Sequence, residues 1–176
     1  MIKFENLNEH LIDEFIIIAK RSFLDTYDGK SDNPAGMLHS YVDETYIRDN
    51  ILNEMTDQNT IIKLIYMEDQ CVGHLKMISQ SPPKSAKIQN SLFLNNLYLL
   101  SEYQGKKIGA KAMNYVFDYA KNKGFEAIWL GVWEKNVQAI KFYQRLGFKK
   151  FGEKNWIYQK DELVYQDLDW LMEVKI

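Results

Sequence analysis

Residues 104–110, reading Gln-Gly-Lys-Lys-Ile-Gly-Ala, set two glycines and two lysines where an apolar run gives way to an amphipathic segment. A strand that ends in a glycine-containing turn and opens directly into a helix aims unpaired backbone N–H groups at one point. That point suits phosphate, and Lys106, Lys107 and Lys111 would add positive charge around it. The plainer alternative is a basic helix start that only keeps a surface soluble. The run fits neither the P-loop spacing G-x-x-x-x-G-K-[ST] nor G-x-G-x-x-G, so nucleoside triphosphates and dinucleotides lose ground as ligands. Further on, Asn136, Ala139 and Tyr143 stand at i, i+3 and i+7, lining an amide, a small residue and a phenol along one helical stripe. The small residue leaves room for a ligand. The alternative is an asparagine that caps the helix and a tyrosine packed on a sheet. Taken together, the two motifs favour the ligand.

Other reactive side chains are fewer. His74, in Val-Gly-His-Leu-Lys-Met, titrates in the range a general base needs, although a lone strand histidine is ordinarily a packing residue. The single cysteine, Cys71, lies in an apolar run and reads as a packing residue; it has no intrachain partner, which suits a reducing compartment. Trp133 reads as core, with the border of a cleft as its alternative. Asp25, Tyr27, Asp28, Tyr41, Asp43 and Glu44 could offer carboxylates and aromatic faces to a cationic ligand, or could be solvated surface groups. No metal-ligating set is read.

The elements that must position these groups follow from periodicity. Leu7 to Phe23 carries a wide apolar stripe at helical spacing (Leu11, Phe15, Ile18 and Ser22, flanked by Ile12, Ile16, Ala19 and Phe23). Turn formers Gly29, Asn33, Pro34 and Gly36 precede a second helical stretch around Asp43 to Met55. Residues 60–68 and 70–79 read as an antiparallel hairpin, and 91–100 as a strand after a proline-interrupted loop. A helix runs from the glycine-lysine motif to about Lys123, stopped by Gly124; a strand spans 125–133; a helix spans Asn136 to Leu146, stopped by Gly147. Two strand-like pieces close the chain, about Phe148 to Gly152 and Tyr165 to Glu173. The 176 residues, 46% of them hydrophobic, are expected to form one mixed α/β (α+β) domain over 1–176, with helices flanking a central, mostly antiparallel twisted sheet. A formal net charge of -2 argues against a duplex nucleic-acid partner. No segment is long and apolar enough to cross or bind a membrane as a span, so a cytoplasmic protein is expected.

The segments Leu97 to Met113 and Leu130 to Phe148 resemble the two hallmark segments of the GCN5-related N-acetyltransferases (the GNAT superfamily), whose first motif is Gln/Arg-x-x-Gly-x-Gly/Ala. The resemblance implies the GNAT fold and acetyl-CoA as cosubstrate. Carried over, Gln104, Gly105, Lys106, Lys107, Ile108, Gly109 and Ala110 would surround the pyrophosphate. Leu97, Tyr98 and Leu99 would lie along the pantetheine arm, Asn136 would meet it near the cysteamine end, Val137 and Gln138 would also bind the cofactor, and Tyr143 would lie close to the sulfur. Lys107 departs from the pattern by standing where the first glycine is usual; at the first turn of a helix φ is negative and lysine is permitted. Residues 22–42, 130–136 and 167–174 are similar to the bacterial polyamine (spermidine/spermine) acetyltransferases, which implies a small amine acceptor.

The implied reaction transfers an acetyl group to a primary amine by direct attack on the thioester. The amine must first lose a proton, because a base of pKa about 10.4 is free only about once in roughly 10³ to 10⁴ molecules at pH 7. Leu99 N–H would stabilise the oxyanion and Tyr143 would act as general acid. Many members of the family carry a glutamate on the cofactor strand, but here Phe93, Asn95 and Asn96 stand there, leaving His74 or a water chain as base. That gap keeps alive a second reading, a catalytically weak CoA-binding regulatory or sensor module. Edge strands near the C-terminus are able to pair two chains into a homodimer.

Overall fold

The computed structural model describes residues 1–30, 34, 36–79 and 82–176. Seven strands form a single sheet: β1 (Ile2–Asn6), β2 (Thr60–Met67), β3 (Gln70–Ile78), β4 (Ser91–Leu99), β5 (Ala127–Trp133), β6 (Lys149–Lys160) and β7 (Leu163–Lys175). Their order is β1-β2-β3-β4-β5-β7-β6. Every neighbouring pair is antiparallel except β4 and β5, which run parallel. On one face pack α4 (Ile108–Asn122) and α5 (Val137–Arg145); on the other lie α1 (Ile12–Tyr27), α2 (Met37–Thr45) and α3 (Arg48–Thr56). This is the expected mixed α/β domain.

The apolar spacing explains which helix faces turn inward. In α4, Ile108, Ala112, Met113, Val116 and Ala120 are all buried. Full burial of each large member contributes roughly 1.5–3 kcal/mol relative to exposure. The helix ends as expected, with Gly124 at φ +78 and Gly147 at φ +92 after α5, conformations that a side chain resists. In α1 the stripe of Ile12, Phe15, Ile18, Ala19, Ser22 and Phe23 is buried, but the helix begins later than expected, after a 3-10 turn at Glu9–Leu11. Cys71 is 5% exposed and packs with this face.

Three expectations change. The stretch Asp43 to Met55 is two helices, broken at Tyr46 and Ile47; the Asn50 amide donates to the carbonyls of Glu44 and Thr45 (3.0 and 3.1 Å), capping α2, while Tyr46 turns into the core beside Phe15. The N-terminal residues form β1, an edge strand whose alternation over Ile2 to Asn6 is too short to stand out. The closing strands are longer than their apolar patches: β6 and β7 pair from Lys149↔Glu173 to Lys160↔Leu163, because polar residues such as Lys154, Asn155 and Gln159, which fall on both faces of β6, mask the strand period. Of the predicted turn formers, Asn33 lies outside the described residues.

Two features of β4 set up the site. Lys76 faces Asn96 whereas Met77 faces Leu94, so Asn95 is an extra residue in β4. This bulge flips the side-chain parity, letting Leu97 and Leu99 share a face with Leu92 and Leu94. Pairing with β5 ends at Leu94↔Leu130, and beyond it the two strands part. Close approach on the other edge is enforced by Gly73, where a Cβ would stand 2.3 Å from the Tyr98 carbonyl oxygen.

Candidate active site

The divergence of β4 and β5 opens a cleft of about 840 Å³ on the α4 and α5 side. Leu100 N–H donates to the Val72 carbonyl (2.9 Å), which fixes the alternation of the β3–β4 ladder. The polar groups of Asn96 and Tyr98 therefore face β3, and those of Leu97 and Leu99 face the gap. Consistent with this, the Leu99 carbonyl accepts from the Gln104 side-chain amide at 3.2 Å. A strand edge with directed, alternating donors and acceptors can grip an extended amide-bearing chain.

At one end of the cleft α4 begins without a side-chain cap on its first N–H groups. Gln104, Gly105, Lys107, Gly109 and Ala110 line this end. Gly105 lies at φ +74, and Lys107, the residue just outside the helix, lies at φ +63, ψ 8. The expected negative φ at Lys107 is thus corrected. It sits one position before the first helical turn, where the chain reverses through the left-handed region, and a lysine there costs on the order of 1–2 kcal/mol. Such turns into a helix present backbone N–H groups and a positive dipole end to an anion. Lys106 instead extends over the Tyr103 ring at 4.8 Å, and Ile108 buries its side chain in the core, so neither side chain lines the cleft.

Another wall of the cleft is α5. Asn136, Gln138, Ala139 and Tyr143 line the cleft, whereas Val137 is 53% exposed outside it. Asn136 is the N-cap, its Oδ1 accepting from Ala139 N–H at 3.1 Å, so the plain capping role holds and its acceptor is committed to the helix. Tyr143 is 8% exposed between Phe142 and Phe148. Burial pushes its phenol upward, keeping the hydroxyl protonated at neutral pH.

Through the parted strands the cleft adjoins a second cavity of about 430 Å³ beneath α1, α2 and α3. Tyr27, Asn95, Tyr98, Gly131 and Trp133 border both. The hydroxyls of Tyr27 and Tyr98 are 3.0 Å apart, and Tyr27 packs against Trp133 at 5.3 Å. The walls are aromatic, with Phe23, Tyr41, Trp129 and Trp156 among them. Tyr27 and Tyr41 both line this cavity, and Trp133 is both 3% exposed and cleft-lining.

The expected acids are elsewhere. Asp25 accepts from Ser101 N–H, Asp28 meets His39, Asp43 pairs with Lys20, and Glu44 binds Lys160 and Tyr158. Instead Glu54, Asp167 and Asp169 line the aromatic cavity. For Asp167 and Asp169 the signal was the alternation Tyr165, Asp167, Asp169, Leu171 along one face of β7, two carboxylates set between apolar residues. His74 is not at either cavity. It is 1% exposed, edge-on to Phe15 at 5.2 Å, and burial, aided by Lys76, lowers it to about 3. An imidazole so weakly basic and so enclosed is a packing residue.

Comparison with known proteins shows the family and the fold. The acetyltransferase (GNAT) family profile matches residues 22–148. A relative from Lactobacillus delbrueckii subsp. lactis, described as an uncharacterized N-acetyltransferase, is 27% identical over 164 residues, 91% of each chain. Among solved structures, a PaiA N-acetyltransferase from Thermoplasma acidophilum in complex with coenzyme A superposes with TM-score 0.77 at 23% identity, covering 100% of this chain and 99% of that one. A variant of spermidine N-acetyltransferase SpeG from Vibrio cholerae gives TM-score 0.64 at 16% identity, covering 99% and 93%. Among the described residues, no helix is long and apolar enough to cross a membrane.

Proposed function

Since the chain belongs to the acetyltransferase (GNAT) family and is an N-acetyltransferase, we propose that it uses acetyl-CoA to acetylate a primary amine of a small molecule, a polyamine such as spermidine or spermine. The observation that carries this reading is the pair of adjoining cavities at the β4–β5 divergence, one with an uncapped helix start and an open strand edge, the other with aromatic and acidic walls. Acetyl-CoA supplies the activated carbonyl and the sulfur leaving group. Its pyrophosphate suits the N–H groups of residues 105–110 together with Lys107, and its arm suits the free edge of Leu97 and Leu99.

The remaining work falls to the chain. Leu99 N–H, directed into the gap, stabilises negative charge building on the carbonyl oxygen. Tyr143 donates a hydrogen bond to the sulfur as charge develops; its phenol, raised by burial, holds its proton more tightly than a thiol of pKa about 8.5, so full transfer to sulfur is coupled to the proton that the attacking nitrogen releases. On the acceptor side, aromatic faces and carboxylates favour ammonium groups, and several such groups along one ligand would engage more than one of Glu54, Asp167 and Asp169. The spermidine acetyltransferase among the fold neighbours supports an amine of this kind.

A panel of spermidine, spermine, simple diamines, aminoglycosides and lysine peptides, each assayed with acetyl-CoA by thiol release, tests the acceptor class. The expected result is kcat/KM for spermidine or spermine at least about tenfold above the simple diamines, roughly the 1.4 kcal/mol that one further cation contact is worth. Equal rates across the panel would remove the polyamine.

A further inference from the structure

The reaction needs a proton acceptor for the incoming ammonium, and β4 offers no carboxylate on its cleft side, while His74 is enclosed. Three acids border the acceptor cavity. Glu54 is tied to Lys76 at 2.7 Å. Asp167, two residues along β7 from Asp169, stands opposite Trp156 of β6, beyond the last β5–β7 pair at Trp133↔Asp169. Asp169 stands opposite Trp133 of β5, the indole that borders both cavities. Its Oδ2 lies 3.5 Å from where a Cβ on Gly131 would be. Gly131 is the first β5 residue past the last pairing with β4, and it too borders both cavities. The absent side chain leaves the passage beside the carboxylate open, and a larger residue would fill it.

Resting on the acetyl-transfer reading above, we propose that Asp169 takes the proton from the acceptor ammonium at the mouth between the two cavities. The carboxylate gains one proton as R–NH3⁺ becomes R–NH2. The nitrogen lone pair forms the C–N bond to the thioester carbonyl carbon, and the C–S bond breaks with its electron pair passing to sulfur. Sulfur gains a proton from Tyr143, which is made good by the second proton leaving nitrogen, and Asp169 returns its proton to solvent. Tyr27 of α1, Tyr41 of α2, Glu54 of α3 with Lys76 of β3, Tyr98 of β4, Lys154 of β6 and Asp167 of β7 border the same cavity. Burial raises the Asp169 carboxyl to about 6, against the pull of Lys154 and with a push from Asp167. It is therefore ionised at neutral pH yet more basic than an exposed aspartate.

The variant Asp169→Asn, compared with wild type across pH, tests this. Spermidine kcat/KM at pH 7 is expected to fall about 10² to 10⁴-fold, with acetyl-CoA affinity unchanged. The deficit should shrink as pH approaches the amine's own pKa, and for amines of low pKa. Wild-type kcat/KM should steepen its decline below about pH 6, a limb that the variant lacks. The variant's melting temperature at pH 7.5 should be no lower than wild type, since it removes a buried anion. Retention of the wild-type rate, or an equal deficit at every pH and for every amine, would overturn the assignment. So would a wild-type profile without the steepening, a readout that needs no variant. Absence of turnover by wild type with any amine would instead fell the acetyl-transfer reading itself.

Discussion

His74 shows at the scale of one residue how burial decides chemistry. A histidine beside a glycine in a strand is a reasonable base until its surroundings are known; here, among the described residues, neither ring nitrogen has a hydrogen-bond partner, and the ring is wedged against Phe15 and Tyr98. Its folded value of about 3 lies below the ordinary 6.5. An unfolded chain therefore takes up a proton below about pH 6.5 that the folded chain refuses. The stability is fully present above that value and is lost as pH falls toward 3, by up to about 1.4 kcal/mol per pH unit. Urea unfolding between pH 7.5 and 5 should show a shallower loss for His74→Leu than for wild type; equal slopes would contradict the buried neutral imidazole. Tyr143 and Asn136 were legible because a helix converts spacing into a shared face. Asp169 was not, because its role depends on β7 lying next to β5, which no local pattern announces.

Among the elements, the start of α4 carries a conflict between backbone and charge. Lys107 occupies a left-handed conformation that glycine adopts freely, so Lys107→Gly removes strain of about 1–2 kcal/mol. Glycine's extra freedom when unfolded returns roughly 0.5–1 kcal/mol of that. A net gain of about 1 kcal/mol is expected, read as a rise in melting temperature. The same change removes a cation from the anion site, so KM for acetyl-CoA should rise severalfold at low salt and less at high salt. A destabilised variant, or one with tighter cofactor binding, would contradict the assignment of Lys107 to the cleft. The motif itself marked this turn; its backbone geometry was misread because the lysine was placed inside the helix and not one residue before it. The break between α2 and α3 was missed for a similar reason, since Asn50 reaches back to cap carbonyls that periodicity alone cannot see.

For the whole molecule, the mixed sheet, the hairpin of β2 and β3 and the two strand–helix units were readable because apolar period and turn residues agree along most of the chain. The functional architecture was less so. It arises where that regularity stops, at the Asn95 bulge and the early end of the β4–β5 ladder, which together let one sheet hold a cleft on one face and an aromatic cavity on the other. The central claim is that these two spaces bring acetyl-CoA and an amine together beside Tyr143. Thiol release at saturating acetyl-CoA, followed against spermidine concentration for wild type and Tyr143→Phe, tests it most directly. Release by wild type should be amine-dependent and saturable, and should fall about 10² to 10⁴-fold in the variant, with acetyl-CoA binding retained. Saturable acetyl-CoA binding with no amine-dependent release, or a Tyr143→Phe variant as fast as wild type, would contradict it.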